Sequence, residues 1–247
     1  MRPSLTIIAV FFVLFFASCE DKKSSQKSAA ETVADQLEEP DSTEAAIAGS
    51  NSEEKEGTAE ELGDSYPIPQ EKLIPFLTEY GKKNPENRVR IKTSFGDIEV
   101  RLFNDTPLHR ANFIMLVKKG YFDDTYFHRV APGFVIQGGN SDNKSTYEMR
   151  RDIGNYLIPN EFDAGHKHTY GAFSAAKYSE QNVSKASSPF EFFIVMDKGG
   201  APHLNNEHTV FGEVTSGMEV AEKISQVKTG QSEWPIDNVY MDVEIIE

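Results

Sequence analysis

The 247-residue chain has a single cysteine, Cys19, so no disulfide can form within it. It has no apolar run long enough to span a bilayer comfortably. The run at residues 5–16 stops well short of the ~20 residues a spanning helix needs. No stripe of Lys and Arg suits a phosphate backbone, which argues against a nucleic-acid partner. Residues 20–65 lack aromatic side chains altogether and carry 14 acidic against 4 basic residues. Such a segment cannot bury enough apolar surface to offset the entropy of ordering, and its like charges keep it extended. Most of the net charge of −14 is therefore placed outside the folding part, because residues 66–247 hold 25 acidic and 20 basic residues. That second part contains every tyrosine and the only tryptophan, so the core belongs there.

What is present begins with "MRPSLTIIAVFFVLFFASCE": one positive charge, a short apolar run, small residues, then Cys19. The pattern resembles a bacterial lipoprotein signal, with Phe16 where leucine is usual. The alternative is an ordinary secretory signal with an incidental cysteine. The resemblance implies that Cys19 is lipidated and that several acyl chains hold the protein in a membrane of the bacterial cell envelope, on a periplasmic or surface face. The chain then divides into a signal peptide (1–18), a lipidated cysteine with a disordered acidic tether (19–65), a short helical extension (66–88) and a folded domain (89–247). In the extension, Leu73, Phe76, Leu77 and Tyr80 lie at helical spacing. That helix either docks on the domain or awaits a partner.

Beyond residue 88 the period changes to two. "RVRIKTSFGDIEVRLF" reads as a hairpin, and strands are predicted at "TYFHRV", "GFVIQGG", "YGAFSAA", "FEFFIVM", "HTVFGEV" and "NVYMDVEII". Thr106-Pro107 offers an N-cap and a first-turn proline to the helix "LHRANFIMLVKK", which Gly120 closes. A second helix is predicted from about Met218 to Val227. Eight strands and two helices suit a closed antiparallel β-barrel with a helix over each open end. A two-sheet sandwich fits the same pattern.

"FHRVAPGFVIQGG" closely resembles the signature of cyclophilins, the cyclosporin-binding peptidyl-prolyl cis-trans isomerases. "TPLHRANF", "GAFSAAK", "FEFFIV" and "PHLNNEHTVFGEV" follow in the family's order. The resemblance implies an eight-stranded antiparallel barrel capped by two helices. It also implies an isomerase that needs no cofactor and no metal and acts on proline-containing unfolded or flexible polypeptides; the oligomeric state stays open, with a monomer as the default.

Rotating an Xaa-Pro bond crosses a barrier of about 18–20 kcal/mol without moving a proton. The catalyst must favour the twisted amide, whose nitrogen regains its lone pair, so a fixed cationic donor beside that nitrogen is what the reaction needs. Arg129 matches the family's catalytic arginine, and lysine would replace it poorly. By resemblance Gln137 holds that arginine and the substrate backbone. Phe134, Val135, Phe193 and Leu204 form the apolar floor for the proline ring. Ala176 meets the peptide backbone, and His208 contacts the substrate carbonyl or ring.

Several residues depart from the family's pattern. Val135 replaces the commoner methionine, and Lys177 replaces an asparagine at a peptide-contact position. Glu191 stands where glutamine is common, and is expected either to damp the field of Arg129 or to orient it. His203 replaces the tryptophan of cyclosporin-sensitive members, which implies weak cyclosporin binding. Strand alternation places His128 on the face opposite Arg129. His166 and His168 of "HKH" are read as ordinary loop and strand residues, because two histidines, even on one strand face, are too few for a closed metal site. The alternative to an isomerase is a catalytically weak, membrane-tethered module that binds proline peptides.

Overall fold

The computed structural model describes residues 66–123, 125–178 and 182–247. The expected signal, Cys19 and the acidic tether lie outside the described residues. All eight predicted strands form: β1 (Arg88–Thr93), β2 (Gly96–Leu102), β3 (Thr125–Ala131), β4 (Val135–Asn140), β5 (Ala172–Ala175), β6 (Phe192–Val195), β7 (Val210–Ser216) and β8 (Val239–Ile245). They close into one barrel in the order β1-β2-β7-β5-β6-β4-β3-β8, every neighbouring pair antiparallel. The two-sheet alternative is thereby excluded.

Side-chain alternation sorts residues between two apolar clusters. Along β6, Phe192 and Ile194 join the main core, while Phe193 and Val195 join a smaller cluster with Ala131, Val135, Ala172 and Ala176. The main core is rich in phenylalanine. Phe113 meets Phe122, Phe173, Phe192 and Phe211 at centroid distances of 4.7–5.8 Å.

Phe113 comes from helix α2 (Pro107–Lys118). Pro107 occupies its first turn and Gly120, at φ +67°, ends the segment, as the sequence suggests. The expected N-cap does not form. The Thr106 hydroxyl instead donates to the Phe103 carbonyl at 3.3 Å. The cap is the Glu161 carboxylate, which accepts from the Leu108 and His109 amides at 3.0 Å each. A carboxylate at a helix N-terminus satisfies orphan donors and opposes the positive end of the helix dipole.

Nearly the whole circumference of α2 is buried because helix α1 (Leu73–Lys83) packs on its outer side. Leu73, Phe76 and Leu77 of α1 are buried in the main core, and Gly81 lets the two backbones approach, since a Cβ there would stand 3.1 Å from that of Ala111. Arg110 of α2 donates to the carbonyls of Gly81, Asn84 and Glu86 at the end of α1. Leu77→Ala should therefore cost about 2–5 kcal/mol, read as a lower urea midpoint at unchanged slope. An unaltered midpoint would mean that α1 is not part of the cooperative unit.

Helix α4 (Met218–Ile224) packs against β2 and ends three residues earlier than expected, in a turn that includes Val227. A further helix, α3 (Lys144–Ile153), is absent from the sequence expectation. Its sequence, KSTYEMRRDI, is mostly polar and buries only Thr146 and Ile153, so it has too few apolar residues to stand out as a core-facing helix.

Candidate active site

The smaller apolar cluster lies under an open groove of about 430 Å³ lined by Arg129, Phe134, Val135, Gln137, Ala176, Lys177, Phe193, Leu204, Glu207 and His208. Strand pairing sets Arg129 directly across from Gln137. On the flanks, Val135 pairs Val195 and Gln137 pairs Phe193, so β4 and β6 deliver polar edge and apolar floor together. Leu204 arrives from a short 3-10 turn, Pro202–Leu204, and His203 of that turn stacks on Phe134 at 5.5 Å. The Phe134 ring lies 6.0 Å from the Arg129 guanidinium carbon.

The His128–Arg129 pair departs from strand alternation. Phe127 pairs Gly138 and Arg129 pairs Gln137, so His128 is one residue too many, a β-bulge. The bulge removes the expected opposition of the two side chains. His128 Nε2 lies 3.5 Å from Glu191, whose other contacts include the Gln137 amide of the groove, so both residues serve the same outer face.

Glu191 does not pair with Arg129. It accepts from Gln137 Nε2 at 3.0 Å and from Arg150 Nη2 at 3.2 Å. Burial pushes its carboxyl upward, but His128, Arg150 and Gln137 outweigh that and hold it below the usual carboxylate range. Arg150 comes from α3, and its Nε donates to the Tyr121 hydroxyl at 2.7 Å. Both Arg150 and Tyr121 also donate to the Gly139 carbonyl. Gly139, at φ +91°, passes so close to Phe190 that a Cβ would stand 2.3 Å from its carbonyl oxygen. Glu191 thus stands behind Gln137, whereas His203 is exposed beside Phe134, and neither is among the residues lining the groove.

Arg129 has a different carboxylate partner, Glu233, at 2.7 Å from Nε. Both side chains are part-exposed, at 37% and 46%, and an exposed pair of this kind contributes about 0–1 kcal/mol. Glu233 sits in the 3-10 turn Gln231–Glu233 before β8, where Ser232 and Glu233 take φ of 61° and 60°. Non-glycine residues held in this region cost on the order of 1–3 kcal/mol each.

At the far end of the groove, Glu207 pairs with Lys177 at 3.3 Å and with Lys185 at 2.6 Å. Lys185 ties the segment after residue 181 to the groove residue Glu207. Ala176 already uses both backbone groups, its N–H to Glu191 and its carbonyl from Ser188. His208 Nδ1 donates to the Ala175 carbonyl at 3.0 Å, and its ring meets Phe193 edge-on at 5.3 Å. Burial pushes this histidine down to about 4, so it is neutral at pH 7. The two histidines of "HKH" go to different partners. His166 stacks on Phe103 and pairs with Asp105, whereas buried His168 bonds Asn205 and Ser174.

The depressed His208 pKa has a stability consequence. Above about pH 6.5 the ring is neutral folded or unfolded, and its full contribution is present. Between about 6.5 and 4 the unfolded chain binds a proton that the native state refuses, so stability falls with pH. The loss is at most about 3 kcal/mol, and buried His168, also lowered, adds to it with the same sign. NMR titration should show the His208 ring unprotonated down to about pH 4. A midpoint near 6.5 would contradict the buried setting.

Residues 88–244 match the family described as cyclophilin type peptidyl-prolyl cis-trans isomerase/CLD. A peptidyl-prolyl cis-trans isomerase A of Dickeya dadantii is 39% identical over 155 residues, covering 61% of this chain and 77% of the relative. An isomerase of Dictyostelium discoideum, cypE, is 36% identical over 155 residues, covering 62% and 94%. Among solved structures, a Cryptosporidium parvum cyclophilin aligns with a TM-score of 0.56 at 27% identity, covering 66% of this chain and 98% of its own. With an eight-stranded closed barrel, a groove holding Arg129 over an apolar floor, and a family match across most of the folded part, the chain belongs to the cyclophilin-type peptidyl-prolyl cis-trans isomerases.

Proposed function

We propose that this isomerase rotates Xaa-Pro bonds of polypeptides folding in the bacterial cell envelope, with Arg129 stabilising the twisted amide. The carrying observation is that one guanidinium and one apolar floor share a groove of a size to hold a proline and its neighbours. The floor, Phe134, Val135, Phe193 and Leu204, takes the ring. Arg129 donates toward the pyramidal nitrogen and favours the twisted state over either planar one. Gln137, held by Glu191, sits directly across from Arg129 and is placed to hold the substrate backbone. Neutral His208, its Nδ1–H held by the Ala175 carbonyl, offers a polar edge that carries no charge. A Cryptosporidium parvum cyclophilin structure determined in the presence of the dipeptide Ala-Pro, with a TM-score of 0.54 at 28% identity, supports this class of ligand.

The envelope assignment rests on the lipoprotein-like signal ending at Cys19, and the clients are proline-containing unfolded or flexible segments. Exchange spectroscopy of the full-length chain with one proline peptide tests the reading. Faster cis/trans exchange at substoichiometric protein is expected. Saturable binding with unaltered exchange would instead make the groove a proline-peptide binding module.

A further inference from the structure

Outside the groove lining, one carboxylate reaches the central cation. Glu233 is 104 residues from Arg129 in sequence and occupies its Nε at 2.7 Å. The turn that carries it is tied on both sides. Gly230 N–H donates to the Trp234 carbonyl at 2.8 Å, Ile236 N–H donates to the Lys228 carbonyl at 2.9 Å, and Thr229 bridges to Pro235. Trp234 anchors the turn on β3, 5.8 Å from the rings of both Tyr126 and His128. Within these ties, Ser232 and Glu233 both adopt left-handed backbone with ordinary side chains. As set out above, an exposed ion pair returns less stability than two such residues cost. Strain kept at a site without a matching stability gain points to a functional constraint.

We propose that Glu233 is a positioning residue, whose carboxylate fixes the Arg129 guanidinium so that its terminal nitrogens face the proline nitrogen. The guanidinium is planar, with one N–H at Nε and four on the terminal nitrogens. A carboxylate on Nε alone leaves the terminal four for the groove. Among the described residues, no side-chain hydrogen bond from Arg129 other than the one to Glu233 is present. The Phe134 ring, 6.0 Å from Cζ, limits rotation about the remaining axis. A long, half-exposed side chain otherwise samples many rotamers, and each misplaced one removes the donor from the reacting atom.

The inference rests on the proposed role of Arg129, and its test separates the two. Isomerisation of one proline peptide is measured with the full chain as wild type, Glu233→Ala, Glu233→Gln, Arg129→Ala and Arg129→Ala/Glu233→Ala, alongside thermal midpoints. Glu233→Ala should lower kcat about tenfold with KM within about twofold, since positioning acts in the transition state. Glu233→Gln, whose amide oxygen still accepts from Nε, should recover most of that loss. In the Arg129→Ala background, removing Glu233 should change nothing further. Wild-type rates in Arg129→Ala would sink the reading of Arg129 itself. A slow Arg129→Ala together with an unchanged or faster Glu233→Ala would sink only the positioning role. So would a Glu233 effect that persists without Arg129, or one that follows the thermal midpoint in both Glu233 variants.

Discussion

Arg129→Ala is expected to lower kcat/KM for Xaa-Pro isomerisation by about two to three orders of magnitude, the range seen when a fixed donor at a developing charge is removed. A thousandfold effect corresponds to about 4 kcal/mol of differential binding. The loss should fall on kcat, because the ground-state peptide is held mainly by the apolar floor, which the substitution leaves intact. Arg129→Lys should recover little. A lysine ammonium is a mobile point charge and cannot keep one donor on Glu233 while presenting others to the groove. Protein-folding stability should change by less than about 1 kcal/mol, as expected for an exposed ion pair. A variant that turns over the peptide as fast as wild type would remove Arg129 from the mechanism.

The largest stability effect outside the hydrophobic core is expected at Arg150. Its guanidinium bonds Glu191, the Tyr121 hydroxyl and the Gly139 carbonyl, and its side chain is only 21% exposed. Arg150→Met strands the Glu191 carboxylate, 12% exposed, with only His128 and Gln137 beside it. Breaking one side of such a pair costs about 3–5 kcal/mol. For a domain of this size that is a fall of roughly 6–20 °C in thermal midpoint. Adding Glu191→Gln should restore about half, because a neutral amide can still meet Gln137 and leaves no buried charge. The Tyr121 and Gly139 bonds stay lost in both. An Arg150→Met midpoint within a degree of wild type, or a double variant no better than the single, would show that the network contributes little.

These two residues also mark where the sequence can and cannot be read. The strands were legible because period-two alternation of aromatic and β-branched residues is set by the pleat itself, as in "FEFFIVM". The groove-lining residues Arg129, Phe134, Val135, Gln137, Phe193, Leu204 and His208 were named from the family's motifs, and the structure brings them to one place. Partnerships across the chain were not legible. Glu161 caps a helix that begins 54 residues before it, and Glu233 meets a guanidinium 104 residues away. Neither leaves a local pattern. The bulge at His128 is invisible for a related reason, since one extra residue in a strand changes facing without changing composition. Glu207 was missed as well, although its spacing just ahead of His208 offered a hint.

The closed order of the strands has a consequence for a protein whose proposed clients are unfolded chains. Every strand of the ring has a hydrogen-bonded neighbour on each flank. An incoming polypeptide therefore finds no open lateral ladder to extend, and strand addition is not available as a way of holding it. Grip comes instead from the groove, one short segment at a time: side chains lodge on its apolar floor and Gln137 meets the backbone locally. The same geometry lets the ring sit among aggregation-prone chains without being recruited into their growing sheets.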